Sequence, residues 1–259
     1  MVLTETELAQ IAALTESLRD PALSDRARGD VAYAARMLAA RELGPPLLDA
    51  LGLTRDLETR KLIVQGLASS RHVEAAPAVL AALLAADDAR IQGHFSVALA
   101  MFRYRPAEPA IRALAEGPFP RGTGPITREG EARIRAQARL SLLRLVGDWG
   151  APAEGLSLLL VGPDEAIVSE EIRATVYAEH ERNAAWIFGV ATTGRFFVEG
   201  VGHTVPMPPY LNVTFTRDPS VLWKREICCG EWPAAPGTYR LRYEADAVLS
   251  NTVTVVVKA

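Results

Sequence analysis

The stretch Gly44-Pro45-Pro46-Leu47-Leu48 decides the fold of the first half of the chain, because the sequence repeats its pattern twice. Ala76-Pro77-Ala78-Val79-Leu80 and Glu108-Pro109-Ala110-Ile111-Arg112 follow it, and the prolines lie 32 residues apart both times. A fixed period of this length is typical of stacked structural repeats. The first half is therefore predicted to consist of similar units, each contacting its neighbours along the stack.

Further columns of the sequence keep the same period. They are a polar column (Arg28, Arg60, Gln92), two apolar columns (Val31, Ile63, Phe95 and Ala35, Leu67, Leu99) and a column of small residues (Ala34, Gly66, Ala98). Apolar residues at this spacing predict a helix in each copy, with Val31, Ile63 and Phe95 buried. Gly44 is expected to end the first helix and Pro45 to begin the second, where the missing proline N–H costs nothing. Each copy is thus predicted to be a helical hairpin.

Helix caps and one insertion complete the repeat pattern. Three residues stand where the first helices need an N-cap: Ser24, Asp56 and Asp87. A fourth copy, with Arg135 and Pro152 in the matching columns, follows an insertion of 11 residues. The insertion falls in the stretch 118–125, whose prolines and glycines predict a loop.

The proline, arginine and apolar columns resemble those of short HEAT-like repeats, the kind also found in phycobilisome-lyase-type proteins. The resemblance covers roughly residues 20–152. It implies a short α-solenoid of helical hairpins over residues 1–152, in which each hairpin buries the apolar face of its neighbour and leaves an elongated surface for binding.

The second half of the chain shows alternation instead of helical periodicity. Apolar and other residues alternate from Ile172 to Glu179, which predicts a half-buried strand. Further strands are predicted at 156–161, 186–190, 195–198, 211–216, 221–228, 238–245 and 251–257, with Gly200-Val201-Gly202 among the turns between them. A short helix after Pro152 remains an alternative to the strand at 156–161. Short strands at this spacing predict an antiparallel β-sandwich over residues 153–259.

The segment 236–255 has the most specific pattern of the second half. Pro236-Gly237-Thr238-Tyr239-Arg240-Leu241, followed by Ser250-Asn251-Thr252, resembles the last hairpin of bacterial immunoglobulin-like modules. The resemblance implies an immunoglobulin-like sandwich in which the hydroxyl of Tyr239 hydrogen-bonds to the main chain. Leu241 occupies the position where antibody domains have a cysteine, so no inter-sheet disulfide is implied.

Composition and charge exclude several classes of partner at this stage. The net charge of -3 argues against a nucleic-acid partner, which would favour a basic protein. No apolar run approaches the length of a membrane span, and the first residues do not resemble a signal peptide. The cysteines, Cys228 and Cys229, are adjacent, a spacing at which a disulfide is strained, so free thiols are expected. These observations predict a cytoplasmic protein without membrane or nucleic-acid partners.

Motifs of catalysis, cofactor binding and metal binding are absent from the sequence. It contains no Gly-x-Ser-x-Gly, no phosphate-binding glycine-rich loop, no His-Glu-x-x-His and no Cys-x-x-Cys. The four histidines are scattered over both halves. The sequence therefore predicts no catalytic residue, no cofactor and no metal, and hence a protein that is not an enzyme.

Two segments carry side chains of the kind that anchor protein interfaces. Phe102-Arg103-Tyr104-Arg105 lies at the hairpin turn of the third copy, and Phe119 and Arg121 lie in the insertion. Aromatic and arginine side chains dominate interface hot spots. The alternatives are that Phe102 packs in the core beside solvated arginines, and that the insertion has no role. Phe119 and Arg121 are the favoured pair, because the other copies contain no counterpart.

The leading hypothesis from the sequence is a protein–protein interaction scaffold or adaptor whose partner is another protein. One alternative is an enzyme or lyase subunit that uses the groove of the helical repeats. Another is a ligand-binding or proteinase-inhibitor-like module that acts through the loops of the sandwich. Fold resemblance alone supports both alternatives, and a fold does not determine a function.

Overall fold

The computed structural model describes residues 4–153, 155–167, 172–180, 194–198, 201–205, 223–229, 236–245 and 248–259. The chain divides into two units, Met1–Gly147 and Asp148–Ala259, where the sequence analysis placed the boundary at residue 152. The first unit is helical and the second contains β-strands, which confirms the predicted fold class. The strands predicted at 186–190 and 211–216 lie outside the described residues.

The helical unit begins with one helix and continues as hairpins. Its elements are α1 (Glu5–Arg19), α2 (Asp25–Leu38), α3 (Gly44–Leu53), α4 (Leu57–Ser69), α5 (Ala76–Ala85), α6 (Ala89–Met101), α7 (Glu108–Glu116) and α8 (Arg128–Val146). The pairs α2–α3, α4–α5 and α6–α7 are the three copies of the repeat, and α8 is the first helix of the fourth. None of the described helices is long and apolar enough to cross a membrane.

Proline and glycine fix the hairpin turns, although not entirely as predicted. Pro45, Pro77 and Pro109 each occupy the second position of α3, α5 and α7, which confirms that they begin the second helices. Gly44 does not end α2. That helix ends at Leu38, with Ala39 left-handed at φ 52°, and Gly44 opens α3. A Cβ on Gly44 would lie 2.6 Å from the Cβ of His72 in the next copy, so close packing between repeats requires glycine here.

The core of the helical unit follows the predicted columns with two corrections. Ile63 and Phe95 are fully buried, but Val31 in the first copy is only half-buried. Ser24 and Asp56 cap α2 and α4 as predicted, whereas Asp88, not Asp87, caps α6 by accepting a hydrogen bond from the Arg90 N–H. Asp88 continues the spacing of 32 residues, so the cap keeps the register of the repeat.

The second unit contains two sheets. Its described strands are β1 (Leu156–Val161), β2 (Glu165–Ile167), β3 (Ile172–His180), β4 (Gly194–Val198), β5 (Val201–Val205), β6 (Trp223–Cys229), β7 (Gly237–Ala245), β8 (Val248–Leu249) and β9 (Val253–Lys258). One sheet has the order β1-β3-β6, and the other has the order β2-β9-β7-β4-β5 with β8 beside β7. The segment 156–161 is thus a strand rather than a helix.

Alternating side chains from both sheets form one core, as expected of a β-sandwich. Leu158 and Val176 from the first sheet and Leu241, Tyr243 and Val255 from the second are all buried in it. Two details differ from the prediction. The pair β2–β9 is parallel, so the sandwich is not purely antiparallel, and the predicted turn at 200–202 instead places Val201 and Gly202 in β5.

The side chain of Asn251, which lies between β8 and β9, hydrogen-bonds to the backbone of β1. Its Oδ1 accepts a hydrogen bond from the Leu160 N–H (2.6 Å), and its Nδ2 donates to the Leu160 carbonyl (3.0 Å). Leu160 is 1% exposed, so water cannot replace these bonds. The amide side chain therefore substitutes for a neighbouring strand.

Asn251→Ala is expected to lower the free energy of unfolding of the second unit by about 2 kcal/mol, because a buried donor and a buried acceptor lose their partners. Urea denaturation, monitored with a spectroscopic probe in the β-sandwich, measures this loss of stability. Asn251→Asp keeps the acceptor for the Leu160 N–H but sets a carboxylate oxygen against the Leu160 carbonyl, so it should not restore the stability. Equal stability of Asn251→Ala and the wild type would refute the role of this side chain.

Candidate binding face of the helical unit

The polar column shared by the repeats has a structural role. Three of its side chains donate hydrogen bonds to the carbonyl of the C-cap residue of an odd-numbered helix: Arg28 to Asp20 (2.8 Å), Gln92 to Ala86 (2.8 Å) and Arg135 to Gly117 (3.0 Å). Carbonyl groups at the end of a helix lack intrahelical donors and carry partial negative charge. This column therefore joins the helices of the stack.

A different set of columns lies on the solvent side of α2, α4, α6 and α8, which pack in that order. We name this surface the even-helix face. Its equivalent positions are Arg26, Glu58, Arg90 and Arg133; Asp30, Leu62, His94 and Gln137; Tyr33, Gln65, Val97 and Leu140; and Met37, Ser69, Met101 and Arg144. Ser69 and Arg144 are buried, and the others are exposed or half-buried. The side chains differ from copy to copy, as expected of a surface that is not constrained by packing between repeats.

Three residues form a hydrogen-bonded series on this face, which we name the polar ladder: Arg36 on α2, Gln65 on α4 and His94 on α6. Arg36 Nη1 donates to Gln65 Oε1 (3.0 Å), and Gln65 Nε2 lies 3.2 Å from His94 Nδ1. Arginine can only donate, so the Gln65 oxygen must face Arg36 and the Gln65 amide nitrogen must face His94. The polar ladder thus spans three successive copies in one fixed direction.

The environment of His94 favours its neutral form. Burial lowers the pKa of His94 below its ordinary value of 6.5, and the nearby charges of Lys61 and Arg36 act in the same direction, while Glu58 opposes them. A neutral imidazole has one acceptor nitrogen and one donor nitrogen. Since Nδ1 accepts from Gln65, His94 carries its proton on Nε2.

Apolar side chains are exposed at the α2 end of the even-helix face. Tyr33 is 51% exposed and Met37 is 54% exposed, one helical turn apart. Aromatic and methionine side chains are enriched at protein interfaces relative to other surfaces. This end of the face therefore has the composition of a protein-binding surface.

Positive charge is concentrated at the opposite end of the stack. Residues 101–147, which we name the basic segment, contain nine arginines and four glutamates. Three of the four glutamates form ion pairs, Glu108 and Glu116 with Arg112 and Glu131 with Arg135. Seven arginines of the segment are exposed: Arg103, Arg105, Arg112, Arg121, Arg128, Arg133 and Arg139.

The net charge of the whole chain conceals this distribution. Residues 1–147 contain 19 basic and 17 acidic side chains, whereas residues 148–259 contain nine basic and 14 acidic side chains. The excess of acid in the second unit outweighs the excess of base in the first. Net charge therefore says little about the surface of the helical unit.

The predicted interface residues at the third hairpin turn separate into two groups. Phe102 is only 8% exposed and belongs to the core, so the alternative interpretation applies to it. Tyr104 is half-buried and packs against the same core. Arg103, left-handed at φ 55°, and Arg105 are exposed. The arginines, not the aromatic residues, are the surface of this turn.

The insertion, which the sequence predicts to be a loop, packs against the repeats. Phe119 is half-buried against the core, and the guanidinium of Arg135 lies 4.5 Å from the centre of its ring. Thr123 is buried, and its hydroxyl accepts a hydrogen bond from the Ala89 N–H at the start of α6 (3.0 Å). Arg121 is exposed. Replacing Phe119 would therefore perturb packing as well as any contact with a partner.

Among the residues that the structure describes, no three His, Cys, Asp or Glu side chains come together as a metal ion would require. Cys228 and Cys229 lie in β6, and their side chains are outside the described set.

Comparisons with known proteins yield distant structural matches. No family model matches the chain, and no curated protein does. The CARDB domain of a Pyrococcus furiosus protein, solved in complex with di-metal ions, matches 43% of this chain and 90% of its own, with 19% identity and a TM-score of 0.25. The alkylpurine DNA glycosylase AlkC of Pseudomonas fluorescens, solved bound to DNA containing an abasic site analogue, matches 98% of this chain and 76% of its own, with 14% identity and a TM-score of 0.32.

The second match corrects two expectations of the sequence analysis. The chain was expected not to be an enzyme and to have no nucleic-acid partner. The second of these proteins is an enzyme that was solved with DNA, so neither exclusion is retained. The exclusion of nucleic acid rested on net charge, which does not describe the basic segment.

Proposed function

We propose that the protein binds nucleic acid and that the basic segment of the helical unit contacts the phosphate backbone. The observation that carries the proposal is the excess of nine arginines over four glutamates in residues 101–147, most of these glutamates being already paired. A clustered basic surface is the electrostatic feature that nucleic-acid binding requires. Three residues of the sequence-predicted interface, Arg103, Arg105 and Arg121, belong to it.

The geometry of α8 suits contact with a charged backbone. Arg128 and Arg139 lie on the same side of the helix, about 16 Å apart along its axis. Arg133 lies on the even-helix face, in the same column as Arg90. Arginine offers a planar set of donors that matches two phosphate oxygens at once, which suits it to this contact. Exposed arginines on both sides of α8 would hold a nucleic-acid strand against the end of the helical stack.

Binding to labelled single-stranded and double-stranded oligonucleotides tests the proposal. Replacing Arg128, Arg133 and Arg139 together with glutamine should weaken binding by about tenfold or more and reduce the dependence of log Kd on log salt concentration by about 2 to 3, since each lost phosphate contact contributes nearly one. Fluorescence anisotropy between roughly 50 and 200 mM salt measures both quantities.

Arg112→Gln is the matched control for this experiment. Arg112 lies in the same segment but pairs with Glu108 and Glu116, so its loss should leave the affinity nearly unchanged. Circular dichroism establishes that each variant keeps its helices. Equal affinity and equal salt dependence of the triple variant and the wild type would contradict the proposal, as would the absence of binding by the wild type.

A protein–protein interaction scaffold is the second candidate, and the exposed pair Tyr33 and Met37 favours it. Under this proposal the α2 end of the even-helix face contacts another protein. Tyr33→Ala with Met37→Ala would then abolish binding of that protein without affecting oligonucleotides. The HEAT-like and immunoglobulin-like family assignments and a cytoplasmic location are likewise proposals, supported by the repeat columns and by the sequence features that suggested them.

A further inference from the structure

The polar ladder accepts only one arrangement of hydrogen atoms. Arg36 donates at every pH, so Gln65 must offer it an oxygen and must offer His94 a donor. His94 Nδ1 can accept that donor only while it carries no proton. A protonated imidazole has N–H groups at both nitrogens, and two donors would then face each other between α4 and α6. Rotating the Gln65 amide does not help, because it would place the NH2 group against Arg36.

We infer that the polar ladder is an acid-sensitive contact between the second and third copies of the repeat, and that uptake of a proton by His94 breaks the hydrogen bond from α4 to α6. The inference does not depend on the proposed function, because it rests on the donors and acceptors of three side chains. Release would free the His94 ring on a face that already carries Arg36 and Lys61. Protonation of His94 would add one positive charge to the even-helix face.

The charged groups around His94 support this assignment. On α4, Lys61 opposes protonation and Glu58, which pairs with Lys61, favours it, while Arg36 on α2 opposes it. On the other side of α6, α8 places the uncharged Gln137 in the column of His94, and Gln137 donates to the Gly93 carbonyl (3.2 Å). The charged residues of α8 on this face are Arg133 and Arg144.

The remaining helices that contact α6 add no charge that would raise the pKa of His94. Helix α5 contains no charged residue. In α7, Arg112 pairs with Glu108 and Glu116 at the surface. The depressed pKa of His94 is therefore a consequence of burial and of cations on its own face.

The direction of the pH effect on stability follows from this depressed pKa. The unfolded chain binds the proton at a higher pH than the folded protein does, because its histidine titrates near the ordinary value of 6.5. The contribution of His94 is fully present above pH 6.5 and is lost as the pH falls through the folded pKa. The helical unit should therefore become less stable in mild acid.

Two substitutions distinguish the pH effect of the hydrogen bond between Gln65 and His94 from the acid sensitivity of the rest of the protein. In His94→Asn the amide oxygen takes the place of Nδ1, so the hydrogen bond from Gln65 remains but can no longer titrate. In Gln65→Glu a carboxylate accepts from both Arg36 and a protonated His94. That variant should raise the pKa of His94 by about one pH unit or more, because an opposite charge within hydrogen-bond distance favours the charged form.

NMR of the full chain with labelled histidine tests the inference, with the His94 resonance assigned by its loss in His94→Asn. We expect the wild type to show the Nε2–H tautomer at neutral pH and a pKa below 6.5, and Gln65→Glu to show the raised pKa. We also expect His94→Asn to lose less stability than the wild type between neutral pH and mild acid. An Nδ1–H tautomer in the wild type, an unchanged pKa in Gln65→Glu, or identical pH profiles of the wild type and His94→Asn would each overturn it.

Discussion

Replacing Arg28 with alanine is expected to lower the free energy of unfolding of the helical unit by about 3 kcal/mol, since it removes a buried side chain together with its charge-assisted hydrogen bonds. Arg28 is 2% exposed, donates to the Asp20 carbonyl at the end of α1 (2.8 Å) and pairs with Asp25 (3.2 Å). Urea denaturation followed by the helical circular dichroism signal measures the change.

The effect is large because Asp25 also joins two copies of the repeat. Its other carboxylate oxygen accepts hydrogen bonds from the backbone N–H groups of Asp56 (2.9 Å) and Arg55 (3.2 Å). These contacts, that of Asp56 foremost, hold the pKa of Asp25 below its ordinary value, with a smaller contribution from Arg28. Arg28 therefore stabilises the end of α1 directly and supports the junction between the first two copies through Asp25.

Arg26→Ala is the matched control, because Arg26 lies two residues away on the same helix and is exposed. Its loss should change the stability by no more than about 0.5 kcal/mol. Arg28→Lys keeps the charge but offers a single donor group, so its stability should lie between those of the wild type and Arg28→Ala. If Arg28→Ala and Arg26→Ala unfold at the same urea concentration, the polar column has no such role.

The sequence alone identifies the polar column, but it does not explain the structural role of that column. Arg28, Arg60 and Gln92 recur at the repeat period, and periodicity also located the apolar positions and the prolines of the second helices. What the column does depends on the C-cap carbonyls of other helices, such as Asp20 and Ala86, which come close only in the stack. Sequence spacing does not encode that distance.

The pattern of the sequence did not reveal the even-helix face, for a related reason. Its columns keep the same period, but their side chains differ in charge and polarity from copy to copy, so they show no recurrent residue type. The polar ladder joins Arg36, Gln65 and His94, which lie 29 residues apart rather than 32, because it passes diagonally across the copies. The available signal was the register of the repeat itself, from which solvent-facing positions follow once the buried columns are known.

Charge and burial explain the remaining differences. Phe102 is buried and Phe119 is half-buried because an aromatic ring gains more by packing on a nearby core than by remaining in water, and their role at an interface stays a prediction. Their arginine neighbours stayed at the surface. The basic segment could have been found from the sequence by counting charge over each half separately instead of over the whole chain.

The other large effect is expected at Gly150, just after the boundary between the two units. Gly150→Ala should destabilise the second unit by about 3 kcal/mol, because an added Cβ would lie 2.0 Å from the carbonyl oxygen of Leu249 and 2.9 Å from the carbonyl carbon of Ser250. These are backbone atoms, so no side-chain rotation can relieve the overlap. The sequence places Gly150 in a connecting segment, where a glycine is ordinarily tolerant of change.

The overlap would also displace a hydrogen bond that anchors this segment. The Gly150 N–H donates to the Leu158 carbonyl (2.9 Å) in β1, while Leu249 belongs to β8, so residue 150 is held between two strands. Thermal unfolding followed by near-ultraviolet circular dichroism measures the loss. Gly52→Ala is the matched control, because its Cβ would meet nothing within 4 Å and alanine favours the helix, which predicts an increase of up to about 1 kcal/mol. A Gly150→Ala protein as stable as the wild type would show that this segment does not pack against β8 as described.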